Sequence, residues 1–420
     1  MQSPMTKTLP AEFTVQDDFP PVSYDDWRTL VEQALGGAPF DRKLVKRTYD
    51  GVNVQPIYGR RDELEGDDPL GFPGLAPFAR GTRSLGAAET GWDLRQEFAH
   101  PDLSETNRAI LNDLQGGATS LQIRLDKAAC RGIDPDHPDA SDLAGHGGVM
   151  AYSVDDFDKA LADVPLNRIP VAIDAGAAFL PAAAMLAGLW QRRDVVGDQA
   201  LGAFHADPLA ALARDGGLPI SADNALASMA ELASWTAENY PRVKAVGVDT
   251  SPYHDAGASS AQDIAFATAT AVEYLRAMIG AGLDIDTAAQ QIVFRIGLGT
   301  HHFQAIAKLR AARQVWARVV EASGGSGQSQ AMTIHARTSN RVLTQYDPYV
   351  NLLRNTVAVF AAGVGGADAI TSVPFDAMTG LPSEFSRRVA RNTVLVLQEE
   401  SHLHRVIDPA GGSWFLDRLT

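Results

Sequence analysis

From about residue 95 onward, short apolar or β-branched runs alternate with longer segments whose apolar residues recur every three and four positions. These are the signatures of a buried strand and of a helix with one inward face. The short runs predict eight strands, at residues 119–125, 171–174, 202–207, 243–250, 291–298, 332–338, 367–372 and 405–408. The longer segments predict helices over 225–239, 261–279, 302–322, 349–362 and 383–401. Eight alternations of strand and helix match an α/β fold of the (β/α)8 TIM barrel type, with insertions, better than an open doubly wound sheet. No G-x-G-x-x-G follows an early strand and no G-x-x-x-x-G-K-[ST] occurs. The nearest approach, GVGG at 363–366, reads as a helix C-terminal stop.

The first part of the chain has a different texture. One amphipathic segment, 23–35, carries Asp25 and Asp26 where acidic groups favour a helix N-terminus. The run RRDELEGDDPLGFPGLAPFARGTR at 60–83 is dense in Gly, Pro and charge, which predicts a segment wrapped over a surface. Residues 1–90 are therefore expected to form an N-terminal extension and wrapping segment, and 91–420 the barrel.

Composition narrows the function. A 420-residue chain that is 45% hydrophobic and 21% charged buries one large core. A formal charge of −15, with no Lys/Arg block to offset it, argues against nucleic acid as a partner. The single cysteine, Cys130, forms no internal disulfide and reads as an inert thiol, in keeping with a reducing cytoplasm. The opening MQSPMTKTLP lacks the basic and apolar regions of a secretory signal. The most apolar stretch, 169–190, contains Asp174 and two prolines and reads as strand, turn and helix, so no membrane association is expected. His301–His302 follow GLGT but diverge by about 100° on a helix start, which predicts a structural or capping role over a metal pair. The adjacent acids Asp155–Asp156 and Glu399–Glu400 read as solvated helix faces.

Seven segments, in order, resemble the methylmalonyl-CoA mutase family. The most specific is IAKLRAARQVW at 306–316. The others are RTYDGVNVQPIY at 47–58, PFARG at 77–81, YHDAGA at 253–258, RTSNRVLTQYDPYVNLLRNT at 337–356, LPSEFSRRVARNT at 381–393 and VIDPAGGSWF at 406–415. The resemblance runs from about Thr48 to the end. It implies a substrate barrel with an acyl-CoA threaded along its axis and adenosylcobalamin closing its C-terminal mouth. The cofactor supplies the radical chemistry in that family, and the protein orients the thioester and excludes water.

The positions that the resemblance makes functional are altered. Arg95 and Gln96 match the family's Arg-Gln-Tyr, but Glu97 stands in place of the tyrosine. The strand GAFHAD puts Ala203 and His205 at the family's polar positions, and Asp215 falls where an arginine holds the substrate carboxylate, with Arg214 one place early. Tyr253–His254 stand two residues closer to Ala-Gly-Ala than the family's pair, so that Ser251 and Pro252 fall at its place. Arg337 and Asp368 replace strand-end glutamines. The cobalt-ligating D-x-H-x-x-G is absent, since DHPDAS at 136–141 and ESHLHR at 400–405 lack its glycine, and no flavodoxin-like cobalamin domain is recognised.

The resemblance thus points to the non-catalytic chains of the family, with no catalytic, cofactor-binding or metal residue expected here. Arg95, Glu97, His205, Asp215, Tyr253, His254, Arg337 and Asp368 are the candidate remnants of a degenerate pocket. It implies a homologous catalytic large subunit that carries the adenosylcobalamin, with acyl-CoA bound in the complex. Arg337, His205 and Phe204 are the side chains expected to plug the axis. Two other readings stay open: an active mutase barrel served by a separate cobalamin subunit, and a stand-alone TIM-barrel lyase or hydrolase using His205, His254 and Asp207.

Overall fold

One face of each barrel strand is apolar and packs outward on helices, with Leu94 and Phe98, Leu121 and Ile123, and Phe294 and Ile296 all buried in one continuous core. Those strands close into a parallel barrel in the computed structural model, which describes residues 21–66 and 68–420. After a short hairpin of β1 (Lys46–Arg47) and β2 (Asn53–Val54), the staves are β3 (Asp93–Phe98), β4 (Ser120–Arg124), β5 (Val171–Asp174), β6 (Gly202–Ala206), β7 (Val243–Asp249), β8 (Ile292–Leu298), β9 (Ile334–Thr338) and β10 (Ala369–Thr371). β10 pairs with both β9 and β3, which completes the (β/α)8 barrel expected from the sequence.

The strand count is as expected, but one stave is not. Residues 405–408 form turns, and the missing strand is β3, whose charges at Asp93, Arg95 and Glu97 disguise it as a surface loop. Asp408 accepts from Arg80 Nε and Arg310 Nη1, each at 2.7 Å, so VIDP serves as an anchor for PFARG and for the IAKLRAARQVW helix.

The helices fall close to their predicted bounds. His302–Ala322 is matched end to end, while Ala222–Asn239, Ser260–Gly280 and Val350–Val364 shift by a few residues. Glu384–Leu395 passes into a wider turn over Val396–Glu400. GVGG does end its helix, with Gly365 N–H bonded to the Ala361 carbonyl. His301 precedes its helix without a side-chain capping bond, and the His302 ring packs on Phe303 and Phe360, so packing replaces the capping role. Ser153 caps the helix Val154–Ala160 by accepting from the Asp156 N–H, its hydroxyl donates to the Asp156 carboxylate, and Asp155 pairs with Arg192 at 2.6 Å. Residues 169–190 give β5 and most of the helix Phe179–Arg192, and no helix among the described residues is long and apolar enough to cross a membrane.

The described residues fall into two compact units, one ending at Tyr58 and the other Gly59–Thr420. In the first, Ser23 and Asp26 form a reciprocal capping box for the helix Tyr24–Ala34; the opening MQSPMTKTLP lies outside the described residues. In the second, the 60–83 segment is tied to the barrel from beneath. Arg313, 2% exposed, donates to the carbonyls of Phe78, Ala79, Gly365 and Gly366 at 2.7–3.2 Å. A buried guanidinium needs such acceptors to offset its desolvation.

Candidate functional site

The interior of a (β/α)8 barrel is ordinarily filled by layers of branched apolar side chains. Here the inward positions alternate small residues with charged ones. Ser120, Ala172, Ala203, Gly247, Gly297 and Ala369 contribute little volume, and one small apolar cluster joins Ala172, Ala203 and Val293. The space is taken by Arg95, Glu97, Gln122, Arg124, Asp174, His205, Asp249, Arg295, His335 and Arg337.

These groups neutralise one another. Glu97 accepts two hydrogen bonds from Arg337, at 2.8 Å from Nε and 3.0 Å from Nη2, and lies 4.0 Å from Arg124. Arg295 bridges Asp174, at 3.0 Å, and Asp249. Arg214 bonds Asp215 at 3.2 Å and reaches Asp174 at 3.8 Å, while Arg95 bonds Asp93 and Ser120. Burial alone would raise the Glu97 carboxyl, but Arg337 and Arg124 hold it down to about 2. Against the same burial, Arg295 keeps Asp174 and Asp249 below the usual carboxylate range. Burial, with Arg295 close by, pushes His205 down to about 3, and burial also carries His335 well below its ordinary value, so both rings are neutral.

Local backbone puts His205 into this interior. The β6–β7 register slips between Ala203 and Ala206, and His205 takes a left-handed φ of 50° at the bulge. Gly247 on β7 permits it, since a Cβ there would lie 3.1 Å from His205 Cα. Phe204, expected as a plug, points the other way and packs on Trp190 and Trp235 in the helix layer. The period-two alternation of a strand places neighbours on opposite faces. Arg337 and His205 are buried among the inward-facing groups.

The remaining candidates separate. Tyr253 and His254 lie on the short helix Ser251–Asp255 that follows β7. Tyr253 packs on Phe266, while His254 Nδ1 meets Asp263 at 2.6 Å and Asp263 accepts from Lys308 Nζ at 2.8 Å. That buried trio ties the YHDAGA turn to the IAKLRAARQVW helix, since Lys308 also donates to the Gly297 carbonyl at 2.6 Å. Asp368 lies at the opposite, N-terminal end of the barrel, where it accepts from the Ile334 N–H and faces Arg83 at 3.8 Å. Asp207 caps the helix Pro208–Asp215 and takes the Tyr274 hydroxyl, and it shares no hydrogen bond with His205 or His254. Burial pushes its carboxyl up to about 7 against those donors.

Two clefts open at the C-terminal mouth. One, of about 890 Å³, is lined by Phe98, Val373, Met378, Leu381 and Arg387. The other, of about 770 Å³, lies over Asp174, Asp249 and Arg295. Glu97, Arg124, Arg337 and Asn340 line both, so the Glu97–Arg337 pair is the partition between them. Sequence reasoning missed Arg124, Asp174, Asp249 and Arg295. For two of them the signal was present: Asp174 in VAID and Arg295 in VFRIGL are each a lone charge in an otherwise apolar strand. Among the described residues no cluster of His, Cys, Asp or Glu is arranged to hold a metal ion.

Residues 47–420 match the family described as methylmalonyl-CoA mutase. The methylmalonyl-CoA mutase small subunit of Streptomyces virginiae is 42% identical over 410 residues, 96% of this chain and 62% of that protein. The small subunit from Propionibacterium freudenreichii subsp. shermanii is 35% identical over 429 residues, 98% of this chain and 61% of its own length. The methylmalonyl-CoA mutase of Escherichia coli K12 is 33% identical over 400 residues, 94% of this chain and 56% of its own. The chain spans about three fifths of the length of these relatives. With all but its first residues matched and the expected barrel in place, the chain belongs to the methylmalonyl-CoA mutase family.

Proposed function

We propose that this chain is the small, non-catalytic subunit of a methylmalonyl-CoA mutase, working as a structural partner of a homologous large subunit that interconverts methylmalonyl-CoA and succinyl-CoA. The observation that carries the reading is the self-compensated interior. Arg337, Arg295 and Arg95 are bonded to carboxylates of the chain itself, so the cations that would receive a substrate carboxylate are already engaged. A carboxylate-bearing thioester entering there would displace internal ion pairs and lose more than it gained. The names of the relatives support the assignment to the small subunit.

The family's adenosylcobalamin belongs, in this reading, to the large subunit. The cleft over Asp174, Asp249 and Arg295 does not fit it, because a flat corrinoid needs an apolar seat and the groups presented there include Glu97, Arg124, Arg214 and Asp255. The histidines with an unpartnered nitrogen, His205, His254 and His335, are 9%, 7% and 1% exposed, embedded in the barrel and the turn above β7. The acyl-CoA is likewise bound by the large subunit, and the pair works in the cytoplasm. Homologous barrels of this kind pair through pseudo-twofold contacts.

Co-expression with a methylmalonyl-CoA mutase large subunit tests the assignment. The reading expects a stable one-to-one heterodimer on size exclusion, with mutase activity requiring the large subunit. A chain that stays alone in the presence of that partner overturns it.

A further inference from the structure

The partition between the two mouth clefts has the form of a ligand held by a receptor. Glu97 reaches from β3 and Arg337 from β9, 240 residues apart in sequence, and the guanidinium grips the carboxylate by Nε and Nη2 together. This two-point geometry is the one by which arginine recognises free carboxylates. Arg124 stands as a second cation 4.0 Å from the same carboxylate, with its side chain 38% exposed. Open space lies on both sides, as both clefts are bounded by these three residues.

We propose that Arg337 and Arg124 form a binding site for short-chain carboxylates and that the Glu97 side chain occupies it as a tethered internal ligand. The tether sets the effective concentration of this carboxylate far above that of any free acid. The wild-type site is therefore closed to external carboxylates. The proposal deepens the reading of a self-filled interior and rests on it.

Replacing Glu97 with Ala removes the methylene and carboxylate groups, four heavy atoms in the arrangement of an acetate ion. Glu97→Ala therefore opens a cavity of acetate's shape facing an unpaired buried guanidinium. The thermal midpoint of this variant is to be followed in sodium acetate, in sodium chloride of equal ionic strength and in the neutral isostere acetamide. A midpoint rise of roughly 2 °C or more in about 50 mM acetate is expected, with no such rise in the other two and none in the wild type. Glu97→Ala/Arg337→Met, which removes the cation too, is expected to ignore acetate.

Should Glu97→Ala fail to fold in chloride, recovery of folded protein by refolding in acetate supports the proposal in the same way. Indifference of Glu97→Ala to acetate, in midpoint and in refolding yield, overturns it. So does an equal acetate response of the wild type or of the double variant. Heterodimer formation by the wild-type chain reports separately on the subunit assignment, so failure of one idea is distinguishable from failure of the other.

Discussion

Gly247 lies against the bulge that turns His205 into the barrel, where an added Cβ would come within 3.1 Å of His205 Cα and 3.2 Å of its Cβ. The contact is with backbone held at a left-handed φ, so the neighbour cannot swing aside. Gly247→Ala should destabilise the protein by about 1–3 kcal/mol. Gly280→Ala, where nothing lies within 4 Å, is the control and should fall within about 1 kcal/mol of the wild type. Urea unfolding of the two variants checks the contrast.

Among the described residues Arg295 is the only cation bridging Asp174 and Asp249, and it is 7% exposed. Arg295→Met would leave two buried carboxylates without their shared partner, at a cost of about 3–5 kcal/mol near neutral pH. Both carboxyls are held below their ordinary range in the wild type, so their contribution is present above the unfolded value and lost as pH falls. The deficit of the variant should accordingly shrink on acidification. Unfolding midpoints at pH 7.5 and at pH 3, below the ordinary carboxyl value of 3.8, read this difference.

The neutral rings give a second pH dependence. With the His205 value depressed to about 3, the folded chain keeps this imidazole uncharged while the unfolded chain protonates it below about 6.5. Stability from this group is therefore complete above pH 6.5 and declines as pH falls toward 3. Relative to His205→Gln, the wild type should lose about 1.4 kcal/mol per pH unit below pH 6. Comparison of the two proteins isolates this slope from the carboxylates.

Cys130 donates to the Leu125 carbonyl, and burial, with Asp174 nearby, pushes its thiol up to about 12. The thiolate is the reactive form. A disulfide reagent at pH 8 should label the folded protein only on the timescale of unfolding, and label it at once in denaturant.

The same polar interior explains what the sequence made legible. Strands with apolar residues on both faces, such as β8 in IVFRIGL, stood out from their surroundings, and so did the helices that pack outside them. DLRQEF did not, because half of β3 faces a charged lumen and its alternation mimics an exposed strand or loop. RVID at 405–408 reads as a strand because a short apolar run carries no mark of the Arg80 and Arg310 contacts that fold it into a turn. Glu97 and Arg337 were each visible as departures from the family pattern. Their pairing was not, since only barrel closure through β10 brings β3 near β9.

The segments that match the family have a common physical character. Arg80, Arg310, Arg313 and Asp408 tie the wrapping segment, the long helix and the C-terminal turns together, away from the mouth. Asn351 and Asn355 hold the Phe375 and Val373 carbonyls beyond β10. The resemblance therefore rests largely on scaffold, and the departures fall mainly in the lumen and around its mouth.

In the function proposed above, the chain's own ion pairs close this lumen to acid-bearing thioesters. Calorimetric titration of methylmalonyl-CoA into the purified chain, with and without adenosylcobalamin, tests it most directly. The account predicts no saturable heat at ligand concentrations up to about 1 mM, a free energy weaker than about −4 kcal/mol. Micromolar binding by the isolated chain would contradict it.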